Sequence, residues 1–294
     1  MLGHEFSGVV AELGSKAENF HIGDRVAGAP LIPCEVCVDC LKGNYSLCRH
    51  YTFIRSRLPG AFAQYVVLPA KNLIKFSPTV PFEIAAFFEP ATVALHGIFC
   101  NEFTSGGHVA VFGGGTIGMF VMQWAKILGA KSVTVFDIKE QRLTLAQGLG
   151  CDNTVNPKVD DVLAKTHDIT NKRGFDYIFE TAGADQTMKM AFEIAGNKAK
   201  ICFIGTPTKD MLFTPQLFEN LNRKEFKLTG SWMSYSKPFP GKEWEMTAKH
   251  FSNGQLKIAP AFIYKKYPLS KAAEAFQEFI NPQNITGKIL LINN

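Results

Sequence analysis

The 294 residues are enough for two domains, since one domain usually takes about 100–200 residues. Hydrophobic residues make up 46% and charged residues 19%, and 31 basic against 26 acidic residues give a net charge of +5. This balance favours anionic ligands, but no basic, aromatic-rich stripe indicates a nucleic-acid partner. Because we find no apolar stretch of about 18 residues and no signal segment, we expect a cytoplasmic protein without a membrane partner.

Short apolar runs bounded by turn residues predict that the first part of the chain is rich in β-strands. The predicted strands lie within residues 1–14, 22–27, 60–68 and 73–76. Several short strands here, against a regular alternation of strands and helices later, indicate an all-β region followed by an α/β domain.

Four of the seven cysteines fall within one short segment, in the spacing C-x₂-C-x₂-C-x₇-C. Such a segment can wrap one ion so that four thiolates reach it at about 2.3 Å, which predicts a closed structural zinc site. An iron–sulfur cluster stays an alternative, whereas disulfides are disfavoured in a cytosolic chain. The predicted ligands are Cys34, Cys37, Cys40 and Cys48; isolated Cys100, Cys151 and Cys202 have contexts typical of small buried residues.

A strongly apolar run with helical periodicity, residues 85–96, contains the acidic residue Glu89. A carboxylate inside such a run must find a partner or bind a cation, so we expect Glu89 to be a ligand. The alternative is a solvated residue on the outer face of the helix.

The glycine-rich stretch 113–118 follows an apolar strand, residues 109–112, and leads into a helix over residues 117–126. In G-x-G-x-x-G the first glycine allows the turn, the second lets a pyrophosphate approach the backbone, and the third lets helix and strand pack closely. The helix start also offers free N–H groups to phosphates. Glycine-rich turns are common, so a purely structural turn is the alternative. The predicted cofactor contacts are Gly113, Gly115, Thr116, Ile117 and Gly118.

The next predicted strand, residues 132–137, ends in Asp137, about 20 residues beyond the glycines. A carboxylate at this point can accept hydrogen bonds from both ribose hydroxyls and repels a 2′-phosphate, so the sequence favours NAD over NADP. Arg142, at the start of the following helix, is a further expected cofactor contact. The alternative for Asp137 is that it only caps that helix.

The alternation continues with strands predicted at residues 175–180, 200–205 and 226–232, and with helices at 142–148, 187–194 and 217–221. This predicts one doubly wound parallel sheet. The tail has two amphipathic helices and a last strand, residues 287–292, which we expect to pair with the β-rich front. The expected domains are therefore 1–95, 96–235 and a returning segment 236–294.

Together, these residues resemble the zinc-containing medium-chain alcohol and polyol dehydrogenases. The resemblance covers the whole chain and depends on Gly3-His4-Glu5, the four cysteines, Glu89-Pro90, the glycine stretch and Asp137. It implies a Rossmann domain, which is α/β, and an incomplete GroES-like β-barrel catalytic domain that carries the structural zinc.

The polyol branch of that family holds a catalytic zinc through a Cys, a His and a Glu, which implies His4 and Glu89 as ligands and Glu5 as an alternating one. Residues 53–63 and 230–244 resemble the galactitol-phosphate dehydrogenases of this branch, which implies NAD-linked oxidation of a polyol or polyol phosphate, of the galactitol 1-phosphate to tagatose 6-phosphate type. Arg55 and Arg57 are candidate anchors for a substrate phosphate, with solvated loop charges as the alternative. A homodimer or homotetramer is the implied assembly.

The family's catalytic cysteine precedes Gly-His-Glu, and no cysteine of this chain precedes Cys34. We therefore expect an N-terminally truncated chain, whether a fragment, a mis-assigned start or a shortened protein, that oxidises polyols weakly or not at all. A sorbitol, L-iditol or other secondary-alcohol dehydrogenase, or a non-catalytic NAD-binding relic, is the alternative. A zinc-free quinone-reductase-like protein would lack the cysteine segment and Glu89.

Overall fold

The computed structural model describes residues 1–281 and 285–293. They divide into two compact units. The first unit combines Met1–Thr92 with Met233–Asn294, and the second is the continuous segment Val93–Trp232.

The strands, in chain order, are β1 Ser7–Val9, β2 Arg25–Gly28, β3 Leu31–Ile32, β4 Thr52–Phe53, β5 Leu73–Lys75, β6 His108–Phe112, β7 Ser132–Phe136, β8 Asn153–Val155, β9 Phe175–Glu180, β10 Ala195–Phe203, β11 Lys227–Gly230, β12 Ile263–Pro268 and β13 Lys288–Ile292.

The α-helices are α1 Val38–Leu41, α2 Phe82–Ala85, α3 Phe88–Cys100, α4 Thr116–Ile127, α5 Glu140–Gly148, α6 Val162–Thr170, α7 Asp185–Ile194, α8 Pro215–Phe218, α9 Asn220–Arg223, α10 Lys242–Ser252 and α11 Ala272–Gln277.

Within the residues that the structure describes, the first unit contains three small sheets: antiparallel β1-β2-β5, antiparallel β3-β4 and parallel β12-β13. Its core is strongly aromatic. Phe88 at the start of α3 stacks on Phe251 of α10 with ring centroids 5.3 Å apart and meets Phe76 edge to face. This packing fixes the first turn of α3, in which Glu89 lies.

The prediction of a strand at residues 60–68 is wrong, because the structure describes these residues and they form no strand. The N–H groups of Gly60, Ala61 and Phe62 instead donate to the carbonyls of residues 1–3 as an irregular pairing. A Cβ on Gly60 would lie 2.1 Å from the Leu2 carbonyl oxygen, so close approach of two backbones replaces a regular ladder here.

The C-terminal strand pairs with β12, which the sequence pattern did not predict, rather than with the strands of the N-terminal segment. Both strands belong to the first unit. β12 reads Ile-Tyr-Lys-Lys-Tyr-Pro, so its apolar and polar residues do not alternate and the strand cannot be recognised locally.

The second unit confirms the doubly wound parallel sheet. Its strand order is β11-β10-β9-β6-β7-β8, in which β6, the first strand of the unit, has its chain neighbour β7 on one side and β9 on the other. This is the strand order of a dinucleotide-binding fold, with its switch point beside β6. The short strand β8 and helix α6 had not been predicted.

By length and mean hydropathy the helical stretch Phe82–Cys100 could cross a membrane, so the expectation that no stretch would qualify is wrong. However, 56% of the stretch is buried inside the fold. A core helix passes the same criteria.

Candidate functional site

The four-cysteine lobe, Cys34–Cys48, brings its four sulfur atoms within 4.8 Å of one another. The Sγ atoms of Cys34 and Cys40 are 3.9 Å apart, as are those of Cys37 and Cys48. A tetrahedral ion with zinc–sulfur bonds of about 2.3 Å needs sulfur–sulfur edges of roughly 3.8 Å. The donor set therefore fits one zinc ion.

The same distances decide between the alternatives for the lobe. All four cysteines are free thiols, which excludes disulfides. An iron–sulfur cluster would place several iron atoms between the sulfurs and hold them farther apart. The Cys40 backbone N–H, donating to the sulfur, lowers the pKa of Cys37 to about 6, so one thiolate is already favoured without an ion.

A second cluster of donor atoms lies in the same unit. One ligand atom each from His4, Glu5 and Glu89 falls within 4.8 Å of the others. His4 Nε2 is 3.9 Å from Glu89 Oε1, and the His4 ring packs at 5.6 Å against the ring of Phe53. Gly3 positions His4: it has φ +91°, and a Cβ there would lie 2.4 Å from the Phe62 ring. Among the described residues no sulfur joins this cluster.

The electrostatics of this cluster favour a cation. Burial, with the nearby Glu5 charge second, raises the pKa of Glu89 to about 8, and burial lowers the pKa of His4. A neutral imidazole has a lone pair to donate, and a divalent cation would offset the repulsion between the two carboxylates. These residues therefore fit a metal ion.

The sequence did not indicate a partner for Glu5. Lys288 Nζ at the start of β13 donates to both Glu5 oxygens, at 2.6 and 2.7 Å. The pair fixes the Glu5 carboxylate within the cluster. The two residues are 283 positions apart, so no local pattern could have revealed the contact.

The two arginines proposed as anchors differ. The Arg57 guanidinium lies 4.0 Å from the centre of the Tyr51 ring and also donates to the Tyr51 carbonyl. The exposed Arg55 has φ +94°. Its positive charge opposes the burial that raises the pKa of Glu89, and it adds to the burial that lowers the pKa of His4. Arg55 therefore acts on the donor cluster, whereas Arg57 is engaged with its own loop.

The glycine turn of the second unit follows β6. Gly113 has φ +96°, which only glycine adopts readily, and a Cβ on Gly118 would lie 1.7 Å from the Gly113 carbonyl oxygen. At Gly115, by contrast, a Cβ would meet nothing within 4 Å. Gly115 also precedes α4 without a side-chain cap. The first N–H groups of α4, at Thr116 and Ile117, thus start a helix next to open space, which fits a pyrophosphate.

Asp137, after β7, is buried against the same turn. Its Oδ2 accepts from the Gly114 N–H at 2.7 Å and from Arg142 Nη1 at 3.2 Å, and its Oδ1 accepts from the Lys139 N–H at 2.8 Å. The structure thus brings Asp137, Arg142 and the glycine turn together. Arg142 partly neutralises the carboxylate, a contact that the sequence alone had not indicated.

A buried carboxylate beside this turn had not been predicted. Glu180, the last residue of β9, accepts from the N–H groups of Ala182 and Gly183 and from the Thr187 hydroxyl. It holds the loop after β9, whose Thr181 hydroxyl donates to the Gly113 carbonyl at 3.2 Å. The signal available in the sequence was an acidic residue closing an otherwise apolar strand.

Comparison with known proteins agrees with this geometry. The alcohol dehydrogenase GroES-like domain matches residues 1–78, and the zinc-binding dehydrogenase domain matches residues 116–249. Galactitol 1-phosphate 5-dehydrogenase of Escherichia coli (strain K12) is 40% identical over 297 residues, covering 99% of this chain and 84% of the relative.

Solved structures show the same relationship. The crystal structure of galactitol-1-phosphate dehydrogenase from Escherichia coli matches with a TM-score of 0.94 at 40% identity, covering 99% of this chain and 84% of that one. A Sinorhizobium meliloti 1021 protein described as a zinc-binding dehydrogenase and bound to NADP matches with a TM-score of 0.83 at 28% identity, covering 99% and 81%. This chain belongs to the zinc-binding dehydrogenases with an alcohol dehydrogenase GroES-like domain, and it is an oxidoreductase that uses zinc and a nicotinamide cofactor.

Proposed function

We propose that this protein oxidises a polyol phosphate, with galactitol 1-phosphate as the best substrate, and transfers the hydride to NAD. The observation that carries the proposal is the cluster of His4, Glu5 and Glu89, whose donor atoms lie within 4.8 Å of one another. The 40% identity to a galactitol 1-phosphate 5-dehydrogenase over almost the whole chain supports the substrate class.

In this proposal the domains keep their expected limits: catalytic residues 1–95, NAD-binding residues 96–235 and a returning segment 236–294. We further propose that the protein is cytoplasmic and forms a homodimer or homotetramer. The protein needs no membrane or nucleic-acid partner.

When bound, zinc supplies a Lewis acid that lowers the pKa of an alcohol, and the nicotinamide accepts a hydride. His4 and Glu89 would hold the catalytic ion, and the four-cysteine lobe would hold the structural one. Lys288 holds the Glu5 carboxylate at the cluster through two short contacts. Phe53 packs on the His4 ring and keeps it oriented.

The preference for NAD depends on Asp137. Its carboxylate would accept hydrogen bonds from the ribose hydroxyls and repel a 2′-phosphate. Arg142 weakens that repulsion because it pairs with the same carboxylate at 3.2 Å. We therefore propose a moderate preference for NAD rather than exclusion of NADP.

Arg55 is the proposed anchor for the substrate phosphate. It is exposed, and its charge already acts on both His4 and Glu89. Arg57 is the matched control, because it stacks on Tyr51 instead. Arg55→Gln should raise KM for galactitol 1-phosphate while leaving KM for unphosphorylated sorbitol unchanged, and Arg57→Gln should change neither.

The test measures NADH formation with galactitol 1-phosphate, sorbitol and L-iditol in the presence of zinc. Because the resemblance implies a cysteine ligand ahead of Gly3, two forms are compared: the 294-residue chain, and that chain joined to the preceding segment of the Escherichia coli relative. We expect the extended form to oxidise galactitol 1-phosphate best and the 294-residue chain to be much slower.

Each contrary result is informative. Higher kcat/KM with sorbitol or L-iditol in the extended form would replace the proposed substrate with an unphosphorylated polyol. NAD binding without oxidation of any of the three substrates by either form would favour the non-catalytic relic. Rapid turnover by the 294-residue chain would contradict the need for an upstream thiolate.

A further inference from the structure

Two consecutive buried residues, Ser234 and Tyr235, make hydrogen bonds to three separate parts of the first unit. Ser234 is fully buried and Tyr235 is 2% exposed, although both carry a hydroxyl group. The preceding residue, Met233, has φ +59°, a conformation that residues other than glycine rarely adopt. Such a conformation persists only where the surrounding contacts hold it, so the neighbours of this segment fix its course.

The first contact reaches the helix turn that carries Glu89. The Ser234 hydroxyl oxygen lies 2.8 Å from the hydroxyl oxygen of Thr92, and the Thr92 hydroxyl donates to the Glu89 carbonyl at 2.7 Å. Thr92 is also fully buried, so bulk water does not compete for these bonds. The Ser234 carbonyl accepts from Trp244 Nε1 at 3.0 Å, which fixes Ser234 from another side. The backbone of Glu89 is therefore held through two buried hydroxyl groups.

The second contact reaches the strand pair that supports His4. The Tyr235 hydroxyl oxygen accepts from the Leu31 N–H of β3 at 3.1 Å. Leu31 pairs with Phe53 of β4, and the Phe53 ring packs against the His4 ring. Tyr235 therefore holds the strand pair whose aromatic side chain orients His4.

The third contact reaches the four-cysteine lobe. The Tyr235 N–H donates to Ser46 Oγ at 3.0 Å, and the Ser46 hydroxyl donates to the Tyr235 carbonyl at 3.4 Å. Ser46 lies between Cys40 and Cys48 in the chain and is buried. The same segment that supports Glu89 and His4 is thus anchored in the lobe.

We propose that Thr92, Ser234 and Tyr235 are positioning residues of the catalytic metal site. None of the three is a ligand; they hold Glu89 and His4 so that their donor atoms stay within reach of one ion. Groups that orient metal ligands from outside the ligand set typically change metal affinity by about 10–100-fold when they are removed. The inference rests on the proposed role of His4 and Glu89 as zinc ligands.

The test titrates the 294-residue chain, with zinc already in its four-cysteine lobe, with cobalt(II). The visible absorption of cobalt reports binding at the cluster of His4 and Glu89. We expect Thr92→Val to weaken cobalt binding by about ten-fold, because valine keeps the shape of the side chain but lacks the hydroxyl. Thr92→Ser, which keeps the hydroxyl, should bind cobalt nearly as tightly as the wild type does.

Thr247→Val is the matched control. Thr247 lies in α10 of the same unit and is fully buried, and its hydroxyl has no hydrogen-bond partner among the described residues. This variant makes the same replacement in another buried helix, so it should leave cobalt affinity unchanged. Ser234→Ala and Tyr235→Phe should weaken cobalt binding as Thr92→Val does, and they decide the matter if circular dichroism shows Thr92→Val unfolded.

Thermal unfolding of the same variants separates positioning from a loss of stability. A lower Tm with unchanged cobalt affinity in Thr92→Val, Ser234→Ala and Tyr235→Phe would overturn the inference, because the network would then serve the fold alone. Glu89→Gln tests the proposed function separately. If the wild type binds no cobalt at the cluster, or if Glu89→Gln binds it equally well, the proposed metal site itself is wrong and the inference falls with it.

Discussion

Asp137 stabilises the local structure, and in the proposed function it also selects the cofactor. It caps the Gly114 N–H, pairs with Arg142 and is nearly completely buried, so it fixes the glycine turn as well as presenting an acceptor. In the proposed function, the choice between NAD and NADP depends on this carboxylate, whose charge Arg142 partly balances.

We expect Asp137→Ala to weaken NAD binding by about ten-fold or more, since a hydrogen bond to a charged acceptor contributes roughly 1.5–3 kcal/mol. The affinity for NADP should fall less than that for NAD, or should rise, because Arg142 is freed to pair with the 2′-phosphate. Fluorescence titration with NADH and NADPH gives both constants. Asp152→Ala, which removes an acid paired with Lys126 elsewhere in the unit, is the control. Tighter binding of NADPH than of NADH by the unaltered protein would contradict this view of Asp137.

We expect the stability of the fold to depend on pH because of Glu180. Burial, acting against several hydrogen bonds, raises its pKa above the ordinary 4.5. The folded state thus holds the proton more tightly than the unfolded state. Proton binding by Glu180 therefore stabilises the folded state. This contribution is fully present below pH 4.5 and is lost as the pH rises through the pKa of Glu180 in the folded state. Each tenfold difference in proton affinity corresponds to about 1.4 kcal/mol.

Comparison with Glu180→Gln, which cannot ionise, isolates this effect. The Tm of the wild type should fall relative to that of the variant as the pH rises above 4.5. Glu102 is a control of opposite sign, because its hydrogen bonds from Lys227 and Lys200 lower its pKa. The Tm of the wild type should rise relative to that of Glu102→Gln as the pH increases to about 4.5, with no further change above it. Parallel Tm curves for wild type and Glu180→Gln would show that Glu180 does not bind its proton more tightly on folding.

At the scale of elements, the four-cysteine lobe is anchored at Ser46, which exchanges two hydrogen bonds with the backbone of Tyr235, but it has little regular structure of its own. Its only α-helix among the described residues is the single turn α1, and Val36, Val38, Leu41 and Leu47 are exposed rather than packed in a core. A segment this small usually depends on its metal for folding.

Cys37→Ser should therefore lower the zinc content of the purified protein by about one ion per chain. In zinc-finger peptides such a site contributes on the order of 10–16 kcal/mol, so order in the lobe should be lost as well. Metal analysis and amide exchange across residues 34–48 measure the two effects. Cys100→Ser, which replaces an isolated thiol in the other unit, should change neither. Full zinc content in Cys37→Ser would remove this residue from the ligand set.

Elements encoded by neighbouring residues could be predicted from the sequence, and those that depend on distant partners could not. The glycine turn after β6 and the cysteine spacing each lie within fifteen residues, so pattern alone placed them. The pairing of β13 with β12 and the contact of Lys288 with Glu5 join residues far apart in the chain. The irregular course of residues 60–68 was not predicted either. An alternating pattern cannot show that the N–H groups of residues 60–62 donate to the carbonyls of residues 1–3.

At the scale of the whole molecule, the two units differ in how the chain builds them. The first is assembled from two segments, whereas Val93–Trp232 is continuous and contains the whole six-stranded sheet. Its core includes Phe112, Phe136, Phe175, Phe192 and Phe226 with the aliphatic residues around them. A continuous unit with its own core can fold alone.

We therefore expect the isolated segment Val93–Trp232 to unfold cooperatively and to bind ADP-ribose, because the glycine turn, Asp137 and Arg142 all lie within it. Its stability should be lower than in the full chain, since the cut at Val93 falls within α3, Phe88–Cys100, and removes that helix's first residues. Circular dichroism on heating and calorimetric titration with ADP-ribose measure folding and binding. The same segment carrying Asp137→Ala separates specific binding from non-specific attraction of phosphates, because only the ribose hydrogen bonds depend on that carboxylate. A folded segment that binds ADP-ribose equally well with and without Asp137 would contradict the assigned cofactor contact, whereas an unfolded segment would show that the sheet needs the other unit to form.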